Sequence, residues 1–260
     1  MSRSSFLLAR LFRTVIHLRF YQIFFRLLLH LPNLPVSKTC SLDLKQMPRL
    51  DFLDSKHNSN LIQNNILKIH GESLDIAKCG WNDDTLPKLT LYNLHYFDYL
   101  NSADGFLAKQ SSEALIKSWL DNNPVGKGVG WDPYPTSLRI VNWVKWIFSD
   151  STLPAGMQSS LGVQARWLNH RMEKHLQGNH LFSNAKALIF AGVCFEGAEP
   201  AKWVRRGVKT IGRQIDEQIL SDGGHFERSP MYHGLFVKDI LDLLVLVDAA
   251  PHSFKKSEHE

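Results

Sequence analysis

From about residue 111 onward the apolar positions recur at helical spacing. Ile140, Val141, Val144, Ile147 and Phe148 form one stripe, Leu161, Ala165, Leu168, Met172 and Leu176 a second, and Val204, Val208, Ile211, Ile215 and Ile219 a third. Steps of three and four place each set on one helix face. Leu181 to Phe195 and Leu235 to Val247 are apolar almost all round, the pattern of helices enclosed by neighbours. Polar punctuation separates these runs. Ser111 or Ser112 caps a helix that Asp121-Asn122-Asn123-Pro124 ends, Thr136 opens the next, and Asp222-Gly223-Gly224 is a turn, since glycine alone enters positive φ without a Cβ clash. Ser229-Pro230 reads as an N-cap followed by the first helical residue. The spacing predicts helices over about 111–120, 136–149, 157–177, 181–195, 201–220 and 230–249. No alternating run competes with them, so the expected fold class is all-α: antiparallel helix hairpins curled into an incomplete α/α toroid, because no sequence repeat favours a stacked solenoid.

The first third is less regular. Residues 31–87 read as connecting structure with one or two short helices. The aromatic run Leu91 to Leu100 reads mainly as core, with a sugar platform as the alternative. The domain reading is therefore a basic arm and connecting segment over 1–88, a helical domain over 89–250 and a polar tail over 251–260.

Composition sharpens this picture in two places. With 260 residues, 44% of them hydrophobic, the chain can bury a sizeable core. Cys40, Cys79 and Cys194 lie far apart with no CxxC pair, so neither a zinc site nor a disulfide framework is indicated, and no metal or cofactor is expected. Charge is uneven: residues 1–40 carry Arg3, Arg10, Arg13, Arg19, Arg26 and Lys38 and no acid, whereas the net charge of the whole chain is +5. The arginines interrupt any signal-peptide core, and no run approaches the ~20 apolar residues of a membrane span. A location in the cytoplasm, or at the inner face of the membrane through residues 1–31, is expected, with the periplasm as the alternative. No nucleic-acid motif accompanies the basic residues, and none is expected as a partner.

Candidate chemistry concentrates in Ser221 to His233, where two glycines, two histidines, Glu227, Arg228 and Tyr232 lie between two apolar helices. Tyr232 falls in the first helical turn, where the positive end of the helix dipole favours a phenolate. It is a candidate proton shuttle, or else a packed side chain. Arg139, Asn142, Trp143 and Trp146 share a second face of their helix. A guanidinium grips carboxylates and an indole stacks on a pyranose, so this stripe is either a wall for an anionic sugar or a tryptophan layer between helices.

Three stretches in this order and spacing resemble the heparinase II/III family: Trp131-Asp132-Pro133-Tyr134-Pro135-Thr136-Ser137-Leu138-Arg139, then Gly178-Asn179-His180-Leu181-Phe182-Ser183-Asn184-Ala185-Lys186-Ala187-Leu188, then Asp222-Gly223-Gly224-His225-Phe226-Glu227-Arg228-Ser229-Pro230-Met231-Tyr232-His233. The resemblance covers about residues 90–250 and implies the N-terminal helical domain of a polysaccharide lyase acting on uronic-acid glycans, in a family whose members add a C-terminal β-sandwich. Removing a proton α to a carboxylate requires an offset for the developing dianion, a base, and an acid for the leaving oxygen. By the resemblance Asn179 neutralises the carboxylate and Tyr232 is the acid and a candidate base. His180, Glu227 and His233 are neighbours for substrate binding, joined by Arg139 and Trp143. No position matches the histidine that the family's later domain supplies. The expectation is thus a domain that is inactive alone, an acidic polysaccharide as substrate, and a separate chain carrying the missing domain. A non-catalytic glycan-binding or membrane-surface protein is the alternative, and a glycoside hydrolase would need a second carboxylate beside Glu227.

Overall fold

The computed structural model describes residues 12–13, 20–28, 35–52, 61–63, 65–69, 71–101, 109–149 and 153–255. Its main helices are α1 (Phe20–Leu28), α2 (Ile76–Cys79), α3 (Lys88–Leu94), α4 (Lys109–Asn122), α5 (Pro133–Phe148), α6 (Met157–His170), α7 (Gly178–Cys194), α8 (Ala198–Gln218) and α9 (Pro230–Ala249). The chain is predominantly helical, as the apolar periodicity requires. A small antiparallel sheet of β1 (Leu61–Gln63), β2 (Ile66–Ile69) and β3 (Glu72–Asp75) was not expected. Its strands are three or four residues long, too short for a period of two to register. Leu67 and Ile69 point inward, and Gly71 at φ +86° turns the chain into β3.

The helical body is built around α7, which is buried from Leu181 to Cys194 and packs against α5, α6, α8 and α9. Its tightest partner is α8, returned antiparallel after a three-residue link. Two glycines permit the close approach. A Cβ on Gly192 would lie 2.6 Å from the Pro200 carbonyl oxygen, and one on Gly207 would lie 2.5 Å from Ile189 Cγ1 and 2.7 Å from the Ala185 carbonyl. Gly207→Ala gains up to about 1 kcal/mol of helix propensity but overpacks against backbone that cannot yield. A net loss of about 1–2 kcal/mol is expected. Gly212→Ala on the same helix meets nothing within 4 Å and should gain stability; denaturant titration of the two variants checks both signs.

Several boundaries and stripes differ from expectation. α5 starts one turn before Thr136, because Pro133 and Pro135 occupy first-turn positions whose amides have no helical acceptor to lose. α6 stops at His170 rather than near 177: the Glu173 backbone amide instead donates to Asn184 Oδ1 at 2.7 Å, and Leu176 is exposed. On α8 the buried face is Trp203, Val204, Gly207, Ile211, Gln214 and Gln218, so Val208 and Ile215 face outward. α9 has the all-round apolar pattern of an enclosed helix but one open side: only Phe236, Asp242, Leu243 and Leu246 are buried, while Met231, Leu235, Val237, Leu241, Leu244 and Val247 are exposed.

The core continues into the segment before α4. Trp81 stacks on Phe97 at 5.5 Å, Phe97 meets Trp143 edge-on at 5.6 Å, and Trp119 Nε1 donates to His95 Nδ1 at 2.9 Å. Burial, with Arg139 close by, lowers the His95 pKa to about 3. The aromatic run 91–100 is thus mainly core, as expected. α1 lies against the body, with Lys174 Nζ 4.8 Å from the Phe25 ring, and it exposes Phe20, Phe24 and Leu27 on one face. Among the described residues no helix is long and apolar enough to cross a membrane, and no cluster of metal-ligating side chains forms.

Candidate functional site

The N-terminal ends of α5, α7 and α9 meet. Tyr134 in the first turn of α5 lies 4.4 Å, centroid to centroid, from the His180 ring in the first turn of α7. A cleft of about 460 Å³ is lined by Gly178, Asn179 and His180 of α7, Glu217 and Gln218 at the end of α8, Phe226 and Glu227 of the following loop, Tyr232 of α9 and Gln22 of α1. Tyr232 is placed as its sequence implied: Ser229 Oγ accepts from the Tyr232 amide at 3.5 Å and Pro230 occupies the first turn. No side chain caps the start of α7, so its positive end opens on the cleft.

Both loops leading into these helices carry backbone strain. Gln177 has φ 62° and ψ −163°, and Arg228 has φ 52°; the Gln177 conformation is one essentially restricted to glycine. Hydrogen bonds hold them. Gln177 Nε2 donates to the Lys174 carbonyl (2.5 Å), Gln214 Nε2 donates to Gln177 Oε1 (3.2 Å), and Gln218 Nε2 donates to Gln214 Oε1 (2.9 Å). The chain ends at His225, whose Nε2 lies 3.1 Å from Gln218 Oε1 and whose Nδ1 accepts from the Glu227 amide at 3.4 Å. The loop before Asn179 and the loop before Tyr232 are therefore tied through two glutamines of α8.

A second hollow of about 220 Å³ shares Asn179 with the cleft and runs between α5, α7 and α9. Its lining combines Tyr96, Tyr134 and Asn142 with Lys145, Lys186, Asp239 and Asp242. Lys145 Nζ contacts both Asp242 oxygens at 2.7 Å, and Lys186 Nζ bridges Asp239 and Asp242 at 2.6 Å each. Burial, with Lys186 nearby, lowers the Lys145 pKa to about 8. The Tyr134 hydroxyl is pushed up to about 12, chiefly by burial and then by Asp239.

Of the residues expected at the site, Asn179, His180, Glu227 and Tyr232 share the cleft. His233 does not line it; one position after Tyr232 it turns outward and is exposed. Arg139 and Trp143 cannot bind substrate as expected, since both are 0% exposed. Arg139 donates to Gln164 Oε1 (2.8 Å), the His95 carbonyl (3.3 Å) and Thr136 Oγ1 (3.4 Å), with its guanidinium 4.0 Å from the Trp119 ring centroid. Of the two readings of this face, Arg139, Trp143 and Trp146 follow the layer between helices, whereas Asn142 lines the second hollow.

A family model described as the heparinase II/III N-terminus matches residues 113–255, more than half of the chain. The chain belongs to the heparinase II/III family. Three curated relatives are heparin-sulfate lyases. That of Bacteroides thetaiotaomicron is 31% identical over 159 residues, 56% of this chain and 22% of the relative. That of Pedobacter heparinus is 30% identical over 128 residues, 44% of this chain and 19% of the relative. That of Bacteroides stercoris is 45% identical over 58 residues, 22% of this chain and 9% of the relative. This heparinase II/III family chain thus spans less than a quarter of the length of each. No solved structure matches it.

Sequence reasoning passed over Glu173, Gln214, Gln218 and Glu217. A signal existed for the glutamines: positions 203, 207, 211, 214 and 218 continue one helical stripe, so Gln214 and Gln218 are polar residues on an inward face. Glu173 carried none, because it lay inside a stretch read as helix.

Proposed function

We propose that this cleft binds a uronic-acid polysaccharide and contributes two groups to β-elimination: Asn179, which hydrogen-bonds the uronate carboxylate as negative charge develops, and Tyr232, which protonates the leaving glycosidic oxygen. The observation that carries the reading is that Asn179 and Tyr232, 53 positions apart in sequence, open from two helix N-termini onto one cleft. An amide donor and the uncapped start of α7 favour a bound carboxylate, and a tyrosine hydroxyl within the same cleft can hand a proton to an oxygen on the same sugar. The β-sandwich domain of family members, supplied by the same protein or by a partner chain, would complete the site. Incubating the chain, alone and with such a partner, with uronate glycans tests the reading: elimination leaves an unsaturated uronate that absorbs in the ultraviolet. Chain shortening without that absorbance would favour hydrolysis, for which Glu217 joins Glu227 at the cleft as a second carboxylate. Retention of glycan with no product would make the domain a binder.

For location, the proposal is contact with an anionic membrane surface through α1, whose exposed Phe20, Phe24 and Leu27 lie in an acid-free arm bearing six cations. Flotation with vesicles should show salt-sensitive binding when anionic lipid is present. Equal recovery with neutral vesicles, or none with either, would remove this assignment.

A further inference from the structure

We infer that Glu173 is a positioning residue that holds His180 as the tautomer protonated on Nδ1, leaving Nε2 as a hydrogen-bond and proton acceptor at the cleft. The donor and acceptor accounting around Asn184 leads there. Asn184 is 0% exposed. Its Oδ1 accepts from the Glu173 backbone amide at 2.7 Å, so its Nδ2 must be the end that donates, to Ser137 Oγ at 2.9 Å and to Glu173 Oε2 at 3.2 Å. Both amide hydrogens are thereby used. Ser137 in turn donates to the Pro133 carbonyl at 2.8 Å, which leaves its oxygen to accept. The remaining Glu173 oxygen, Oε1, lies 3.1 Å from His180 Nδ1. An ionised carboxylate only accepts, so Nδ1 carries the proton. The Tyr134 ring against His180 limits rotation of the imidazole. The carboxylate is 10% exposed and the imidazole 39%, an arrangement in which a buried acid steadies a ring that still reaches solvent.

Every partner in this network is specified, so the consequence of removing the charge can be worked out. In Glu173→Gln the Asn184 amide still donates, and the glutamine must turn its oxygen to that donor. Its own NH2 then faces His180 Nδ1, which can only accept. The ring proton is forced to Nε2, and the acceptor at the cleft is lost. Glu173→Asp keeps an acceptor on both sides and should keep the tautomer. A neutral amide in place of the orienting acid of a catalytic histidine has this same inverting effect in serine proteases.

The test is nitrogen NMR of the imidazole-labelled chain, with pH raised until the His180 signals no longer move, so that the neutral ring is read. The His175 ring, which also feels Glu173 and His180, is followed in the same spectra, and Tyr134, Tyr92 and Tyr96, the phenols that feel the Glu173 charge, stay protonated at that pH. Wild type should show protonated Nδ1 at His180, Glu173→Gln should show protonated Nε2, and Glu173→Asp should match wild type. An Nε2-protonated His180 in wild type, or an unchanged tautomer in a folded Glu173→Gln variant, would overturn the inference. The wild-type spectrum decides the tautomer even if the glutamine variant does not fold. The functional weight of the acceptor rests on the cleft being the glycan site. If elimination is observed, Glu173→Gln should lower kcat by about 10²- to 10⁴-fold with KM little changed. A correct tautomer with no turnover in any preparation would count against the lyase reading and leave the assignment of Glu173 intact.

Discussion

Asp242→Ala is expected to destabilise the chain by about 3–5 kcal/mol, because it strips the counter-charge from the buried Lys145 ammonium and one of two carboxylates from Lys186. Lys145 and Lys186 have side chains 7% and 5% exposed, and Asp242 is 1% exposed. Lys186 would keep Asp239 at 2.6 Å, whereas Lys145 would lose both of its contacts to Asp242. Already lowered to about 8 by burial and Lys186, Lys145 would neutralise more readily still, and a neutral amine costs less to bury. The deficit measured by denaturant titration should therefore shrink as pH rises. At the acid end the sign reverses. Burial raises the Asp242 pKa, but Lys186 and Lys145 outweigh it and hold the carboxylate below its ordinary value of 3.8. Its contribution is complete above that value and lost as pH falls through the lower folded-state pKa. The variant should lack this acid limb. Equal acid sensitivity in both proteins would show that the triad does not govern it.

Tyr232→Phe is expected to abolish elimination, lowering kcat by about 10²-fold or more, while glycan binding changes little, since one hydrogen bond contributes about 0.5–1.5 kcal/mol. The fold should be unaffected: the Ser229 cap bonds the Tyr232 backbone amide, not its hydroxyl. The measurement is ultraviolet product formation in the preparation that shows turnover, with glycan affinity measured alongside. Unchanged turnover would take Tyr232 out of the mechanism. A parallel loss of affinity would make it a binding residue.

The start of α9 shows how far local chemistry reaches. Ser229, Pro230 and the glycines before them dictated where that helix begins and that Tyr232 would sit in its first turn, because caps and turns are settled by the residues themselves and their immediate neighbours. The same holds for the all-α class, which follows from apolar spacing, and for the three motifs that signalled the family. The Arg139 and Trp143 face was ambiguous for a physical reason: a stripe of guanidinium and indole has the same periodicity whether it meets a sugar or another helix, and only the layer formed with Trp119, Phe97 and Gln164 decided for the core. Glu173 was hidden because its backbone leaves the helix to bond a side chain eleven positions away, a long-range competitor that helical periodicity does not encode. The outward side of α9 was likewise a matter of which neighbours are present. The sequence by itself determined the helical class, the Ser229 cap of α9 and the chemical types brought to each terminus, whereas Ser111, Ser112 and Thr136, read as helix starts, lie inside α4 and α5. Tertiary packing alone decided that the starts of α7 and α9 and the end of α8 share one cleft, that two glutamines tie its loops together, and which of the polar residues face it, since burial and partnership depend on residues far apart in the chain.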